Sequence, residues 1–315
     1  MKICIFGNKE TTKSLIQELL LRKIKVSGLV ILASSQAKKA EISGLSSDIS
    51  SLAEEAEIEE VYEASTYNLK NEEDQKYFLK KGFDLGLCTG WQRIIPAEIL
   101  NTFSVGVFGW HGSAFMLPNG RGRSPLNWSI RLGMNKIFHN CFKYSAAPDE
   151  GNIFETKLIK IHNDDYIVDL QKKALNHIKS SAFNLIQAIR GGKLRLKEQI
   201  SHPSIWLPKL DENSGLISPA LLTGFQARCI VRSCSKPFPG SFVHTKHAGG
   251  LKIRLWKISH LKHVPQKIDL GVGEAVIMED RLFIRCLDEI MLSDHFEVEA
   301  RNDTSFMNNK KIFCL

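Results

Sequence analysis

The chain has 315 residues, 43% hydrophobic and 24% charged, ordinary values for a globular protein with room for two domains. A net charge of +8 favours anionic partners such as nucleotides, folates or RNA, by electrostatic bias alone. Seven scattered cysteines argue for reduced thiols over a disulfide framework, and no apolar run approaches a membrane span. The opening Met1-Lys-Ile-Cys-Ile-Phe-Gly7 reads as a strand, not a secretory signal, so a cytoplasmic location without a membrane partner is expected.

Residues 2–7 form a short buried strand in this reading. Residues 11–22 carry Leu15, Leu19 and Leu20 at helical spacing, and residues 26–32 are a second apolar strand. Strand, helix and strand within about thirty residues mark a βαβ unit of a parallel sheet. Residues 48–56 are predicted helical with Asp48 as N-cap; Val61 and Tyr62 form a short strand, and residues 74–81 another helix. A buried strand over 84–89, a short helix over 96–100 and a strand over 104–110 follow. Ligands of open parallel sheets bind beyond the carboxyl ends of strands, so the turns after 89 and after 110 fall where a site belongs.

Pro125 suits the first position of a helix over 126–132. Strands are predicted over 138–144 and 153–161, then a long amphipathic helix over 164–190 closed by Gly191-Gly192. Residues 204–222, rich in turn formers, read as a linker, and 221–232 as a helix. Short alternating runs at 241–245, 251–258, 274–278 and 282–287 suggest a small β-barrel within 223–300. The polar tail 301–315 is expected to fray.

The chemistry concentrates between Gly106 and Gly151. The segment Gly106-Val-Phe-Gly-Trp-His111-Gly-Ser113 leaves a strand, Leu117-Pro-Asn-Gly-Arg-Gly-Arg-Ser-Pro-Leu-Asn-Trp128 follows, and Pro148-Asp149-Glu-Gly151 closes it. An imidazole, a carboxylate and a rigid turn between them suit proton management around a nucleophile attacking a carbonyl. Arg121 and Arg123 are candidate phosphate contacts, since guanidinium forks match phosphate oxygens. Asn8, Lys9 and Thr11 follow the first strand, where a phosphate or sugar meets backbone N–H groups. There is no Gly-x-Gly-x-x-Gly, which disfavours a dinucleotide site. His244/His247 and His260/His263, with Cys229 and Cys234 upstream, lack zinc-ligand spacing, so no metal is expected.

The His-x-Ser segment, its Leu-Pro and Arg-Gly continuation and the downstream Asp-x-Gly resemble the folate-dependent formyltransferase family. Lys236-Pro-Phe-Pro-Gly240-Ser-Phe is similar to a segment of the C-terminal domain of methionyl-tRNA formyltransferase. The resemblance implies an α/β fold: a Rossmann-like catalytic domain over 1–203, the linker, and a smaller OB-like β-barrel domain.

It also implies N10-formyltetrahydrofolate as co-substrate, with His111 and Asp149 as the catalytic pair. The Gly90-Trp91-Gln92-Arg93-Ile94 turn would line the pterin pocket, with Asp149 also near the folate. The family carries Asn two residues before its histidine; this chain has Gly109, and its His-to-Pro spacing is two residues longer. Gln92 is the expected substitute donor, with Ser113 the runner-up. The wording around Arg121 and Gln92 resembles the sugar-nucleotide branch of the family. That implies a UDP-, dTDP- or GDP-linked 4-amino-4,6-dideoxy sugar, for instance of the pseudaminic acid type, and a place in surface-polysaccharide biosynthesis.

Two other readings stand beside it: methionyl-tRNA formyltransferase, and a non-catalytic relative binding folate or sugar nucleotide. The segment 33–44 holds two lysines and no arginine, little positive charge for clasping tRNA, although the C-terminal domain is basic. A homodimer is compatible with the resemblance.

Overall fold

The computed structural model describes residues 1–32, 49–91, 93–200, 203–246, 250–261, 263–299 and 310–314. The expected cap Asp48, the expected donor Gln92, the segment 33–44, His247 and most of the expected tail lie outside them. The elements in chain order begin β1 (Ile3–Phe6), α1 (Glu10–Leu21), β2 (Gly28–Leu32), α2 (Ile49–Glu55), β3 (Glu60–Ala64), α3 (Glu72–Lys81), β4 (Leu85–Cys88) and α4 (Ala97–Leu100). Then come β5 (Gly106–Ser113), β6 (Arg121–Gly122), α5 (Pro125–Arg131), β7 (Lys136–Lys143), β8 (Ile153–Lys160), α6 (Ile167–Arg190) and β9 (Trp206–Leu207). After two short 3₁₀ turns follow α7 (Gly224–Cys234), β10 (Ser241–His244), β11 (Lys252–His260), β12 (Glu274–Met278), β13 (Arg281–Arg285), β14 (Ile290–Glu299) and β15 (Ile312–Phe313).

Two compact units result. One comprises residues 1–122, 138–159 and 173–206; the other comprises 123–137, 160–172 and 207–315.

The first unit is built on a seven-stranded sheet in the order β3-β2-β1-β4-β5-β7-β8. It is parallel from β3 to β5, and β7 runs antiparallel on β5. Both faces are covered, so its strands read as continuous apolar runs. Successive residues alternate sides. Ile3, Ile5, Leu85, Leu87 and Phe108 pack with α1, α2 and α6, whereas Cys4, Phe6, Cys88 and Val107 pack with Phe78 of α3, Ile99 of α4 and Phe103. Each such fully buried side chain contributes roughly 1.5–3 kcal/mol. α3 begins two residues earlier than its apolar spacing indicates, because Asn71 accepts the Asp74 N–H at 2.7 Å as N-cap.

In the second unit, six antiparallel strands follow the order β10-β11-β14-β13-β12-β15. The sheet curls until its ends meet: Thr245 bridges to Cys314, and the Lys246 N–H donates to Phe313 O at 2.9 Å. Such closure removes open edges and makes the barrel. β14, which sits between β11 and β13, is not among the expected strands. Ser293, Asp294 and His295 break its apolar pattern, yet Ser293 is fully buried with Oγ donating to Lys257 O at 2.6 Å. α7 starts at a capping box, in which the Thr223 hydroxyl accepts from Gln226 and the Gln226 side chain accepts from Thr223.

All seven cysteines are buried free thiols. Among the described residues no helix is long and apolar enough to cross a membrane.

Candidate functional site

β5 carries Gly109, His111 and Ser113 on one face, the face that holds Val107 and lies opposite α6. Its neighbours bring other elements beside these residues: Cys88 of β4 pairs with Gly109, and Asn140 of β7 pairs with His111. The His111 side chain is only 6% exposed. Its Nε2 lies 2.7 Å from Gly120 O. A carbonyl only accepts, so this contact places the proton on Nε2. Gly120 adopts φ +77°, and a Cβ there would overlap Ser113 Oγ. Only glycine lets the turn fold tightly enough to lay its carbonyl over the imidazole.

The other ring nitrogen, Nδ1, faces Asp149 Oδ2 at 3.6 Å. With Nε2 protonated, Nδ1 is the basic nitrogen, and a proton gained there would form an ion pair with Asp149. The pair is therefore arranged as a proton acceptor backed by a carboxylate.

Asp149 occupies a left-handed backbone conformation, φ +57°, which Asp tolerates better than most residues. Three contacts hold it. The Gly122 N–H donates to Oδ2 at 3.3 Å, while Gln199 Nε2 donates to both Asp149 O and Gly151 O at 2.8 Å. Arg121, buried, donates from Nη1 to Glu150 Oε1 at 2.9 Å and from Nη2 to Gln199 Oε1 at 2.8 Å. Its Nε has no hydrogen-bond partner among the described residues. Gln199 and Glu150 belong to this clamp and were not among the expected site residues.

Ser113 is fully buried, and its Oγ accepts the Phe115 N–H at 3.2 Å. Tyr144, just past β7, fills the space beside Gly109: a Cβ at 109 would overlap its Oη, Cζ and Cε1. Its hydroxyl donates to the Cys88 sulfur, which also receives the Trp91 backbone N–H. Burial pushes the Cys88 thiol up to about 12, so it stays protonated.

The turn after β4 opens at Gly90, φ +87°. Trp91 packs inward, edge-on to Tyr67 at 5.0 Å between ring centres, and the Arg93 guanidinium lies over Tyr67 at 4.8 Å. Trp91 Nε1 is buried with no hydrogen-bond partner among the described residues, and Ile94 is 57% exposed. Asn8 is committed to β2, exchanging hydrogen bonds with Leu32 O and Leu32 N at 2.9 and 2.8 Å. Lys9 stands beside Gly90, and burial lowers the pKa of its ammonium. Thr11 is half-buried; it is Thr12 that ties the start of α1 to the turn, donating to Thr89 O at 2.5 Å. His111, Asp149 and Ser113 thus gather at the end of β5. Arg123 belongs to the second unit and is exposed. Among the described residues, no group of three or more His, Cys, Asp or Glu side chains is placed to hold a metal.

A family model described as formyl transferase matches residues 1–185. Methionyl-tRNA formyltransferase of Desulfotalea psychrophila is 27% identical over 173 residues, which cover 55% of this chain and 51% of that protein. The chain thus spans about half the length of this curated relative. Among solved structures, WlaRD, a sugar 3N-formyl transferase crystallised with dTDP and 5-N-formyl-THF, superposes with a TM-score of 0.65 at 16% identity. The match covers 96% of this chain and 98% of WlaRD. An N-formyltransferase from Helicobacter canadensis, in complex with folinic acid and dTDP-3-aminofucose, also gives 0.65 at 16% identity, over 93% and 98% of the two chains.

Proposed function

Because the chain belongs to the formyl transferase family, we propose that it moves a formyl group from N10-formyltetrahydrofolate to the primary amine of a nucleotide-linked amino sugar. The observation that carries this reading is the placement of His111 Nδ1 3.6 Å from Asp149 Oδ2 at the carboxyl end of β5. In formyl transfer the attacking amine must lose a proton and the departing N10 must gain one. His111, fixed by Gly120 O, accepts the amine proton at Nδ1 and delivers it to the leaving nitrogen. Asp149 stabilises the imidazolium in between. Each contribution of this kind is worth about 10²–10⁴ in rate.

A folate co-substrate fits the turn after β4, where the buried Trp91 Nε1 lacks an acceptor among the described residues, beside an aromatic and guanidinium surface. Lys9, beside Gly90 and half-buried, is suited to an anionic group of either substrate.

The sugar reading rests on the two sugar N-formyltransferases above and on the sequence 33–44, which lacks the arginines a tRNA clasp would want. The resemblance to the sugar-nucleotide branch implies a 4-amino-4,6-dideoxy sugar, while both relatives are described with 3-amino or 3-N chemistry, so both positions belong in the test. Methionyl-tRNA is the second reading, favoured by the curated relative and the net charge of +8. The test offers UDP-, dTDP- and GDP-linked 3-amino and 4-amino sugars, and charged initiator tRNA, with N10-formyltetrahydrofolate; products are read by mass spectrometry. A formylated sugar nucleotide is expected. Formylated Met-tRNA alone would replace the sugar reading, and no transfer with folate still bound would mark a non-catalytic relative.

A further inference from the structure

We propose that the hydroxyl of Tyr144 is a catalytic hydrogen-bond donor to the formyl oxygen as that oxygen gains charge. The inference rests on the formyl-transfer reading above. Gly109 and His111 are two residues apart on one strand, so their side-chain positions share a face roughly 7 Å apart. A Cβ at Gly109 would overlap Tyr144 Oη, Cζ and Cε1. The tip of Tyr144 therefore stands where the side chain of residue 109 would be, on the face of β5 that presents His111. A formyl group lying between them would have the imidazole on one side and the phenol on the other.

The surroundings of Oη suit a donor. Tyr144 packs against Phe142 with ring centres 5.3 Å apart, and against the cluster around Phe6 and Trp91. A phenylalanine would satisfy that packing, so the hydroxyl is the feature to explain. It is hydrogen-bonded to Cys88, itself a recipient of the Trp91 N–H. The phenolic O–H donates to the Cys88 sulfur, a weak acceptor, and can turn from it to a formyl oxygen that gains charge beside it. Burial, then the neighbouring Cys88 and the Asp149 charge, hold the phenol well above its usual range. Tyr144 therefore stays neutral and keeps its proton. The expected donor Ser113 is placed worse, with Oγ accepting from Phe115 beneath Gly120.

Atoms balance without proton transfer from Tyr144. The amine nitrogen bonds to the formyl carbon, the formyl oxygen becomes an oxyanion held by the Tyr144 O–H, and the C–N10 bond then breaks as the C=O re-forms. The amine proton travels to N10 through His111.

The test compares wild type with Tyr144→Phe in the acceptor assay, and measures 5-formyltetrahydrofolate affinity by intrinsic tryptophan fluorescence. The expected result is a kcat lower by about 10²–10³, with folate affinity, amine KM and thermal midpoint kept. Gly109→Ala, which pushes the hydroxyl aside, should lower kcat in wild type but add little to Tyr144→Phe. A Tyr144→Phe kcat within threefold of wild type overturns the inference while leaving formyl transfer standing. Loss of folate affinity in step with kcat overturns it too, by assigning Tyr144 to binding. A wild type inactive with every acceptor overturns the proposed function and this inference together.

Discussion

Asp149 Oδ2 faces His111 Nδ1 at 3.6 Å while the opposite ring nitrogen is held 2.7 Å from Gly120 O. The imidazole is thus fixed in one tautomer with its basic nitrogen toward a carboxylate. His111→Ala should lower kcat by about 10²–10⁴ while leaving 5-formyltetrahydrofolate affinity near wild type. Steady-state kinetics with fluorescence titration checks this; near-wild-type turnover would remove His111 from the chemistry.

Gln199 positions Asp149 from 50 residues away in sequence, through its bonds to Asp149 O and Gly151 O and its acceptance from Arg121. Gln199→Ala leaves two carbonyls and a guanidinium nitrogen short of partners. We expect about 1–3 kcal/mol lower stability, and a tenfold to 10²-fold lower kcat as Asp149 drifts from His111. Denaturant unfolding and turnover, measured on one preparation, report the two effects separately.

Gly120→Ala combines an unfavourable φ of +77° with overlap onto the buried Ser113 Oγ. A cost of about 1–3 kcal/mol is expected, with a lower kcat because the carbonyl that holds His111 Nε2 must move. A thermal midpoint equal to wild type would show that the turn is looser than described.

A buried histidine pair should make the protein acid-sensitive. His139 and His177 share one hydrogen bond, Nδ1 to Nδ1 at 2.7 Å, which requires one donor and one acceptor and fails when both rings are charged. Burial, then the charges of His177, His111 and Lys157, hold His139 well below the ordinary histidine range. Burial also lowers His177, with Glu155 opposing and Lys157 reinforcing. The unfolded chain then binds more protons than the native one below about pH 6.5. Stability is full above that pH and falls as the pH drops through it, by at most about 1.4 kcal/mol per pH unit per histidine. Denaturant unfolding between pH 7.5 and 5 checks the slope, and His139→Asn should flatten it.

The parts of the site readable in the sequence are those written locally. An apolar run ending in His111, a Gly- and Pro-rich turn, and a carboxylate just past the next strand bring the proposed catalytic pair within forty-five residues. The clamp of Arg121, Glu150 and Gln199 is not readable, because it joins residues up to 78 apart through side-chain geometry alone. Arg121 looks in sequence like a phosphate ligand, yet two of its nitrogens are committed to Glu150 and Gln199. Asn8, likewise expected at a ligand, is spent on bridging β1 to β2. The role of Gly109 emerges only once Tyr144 is seen beside it, since a missing side chain carries no pattern of its own. In the barrel, β14 escapes detection because its polar centre joins a buried Ser293, bonded to Lys257 O of β11, to an exposed Asp294 and His295 that bond to each other.

The most direct test of the account is the turnover of Asp149→Asn at saturating N10-formyltetrahydrofolate and saturating amino-sugar nucleotide. The carboxamide keeps the size of the carboxylate and can still accept the Gly122 N–H, but it cannot stabilise a charged His111. A kcat lower by about 10²–10⁴ with unchanged folate affinity is the predicted result. Turnover within threefold of wild type would contradict the claim that His111 and Asp149 together carry the proton from amine to folate.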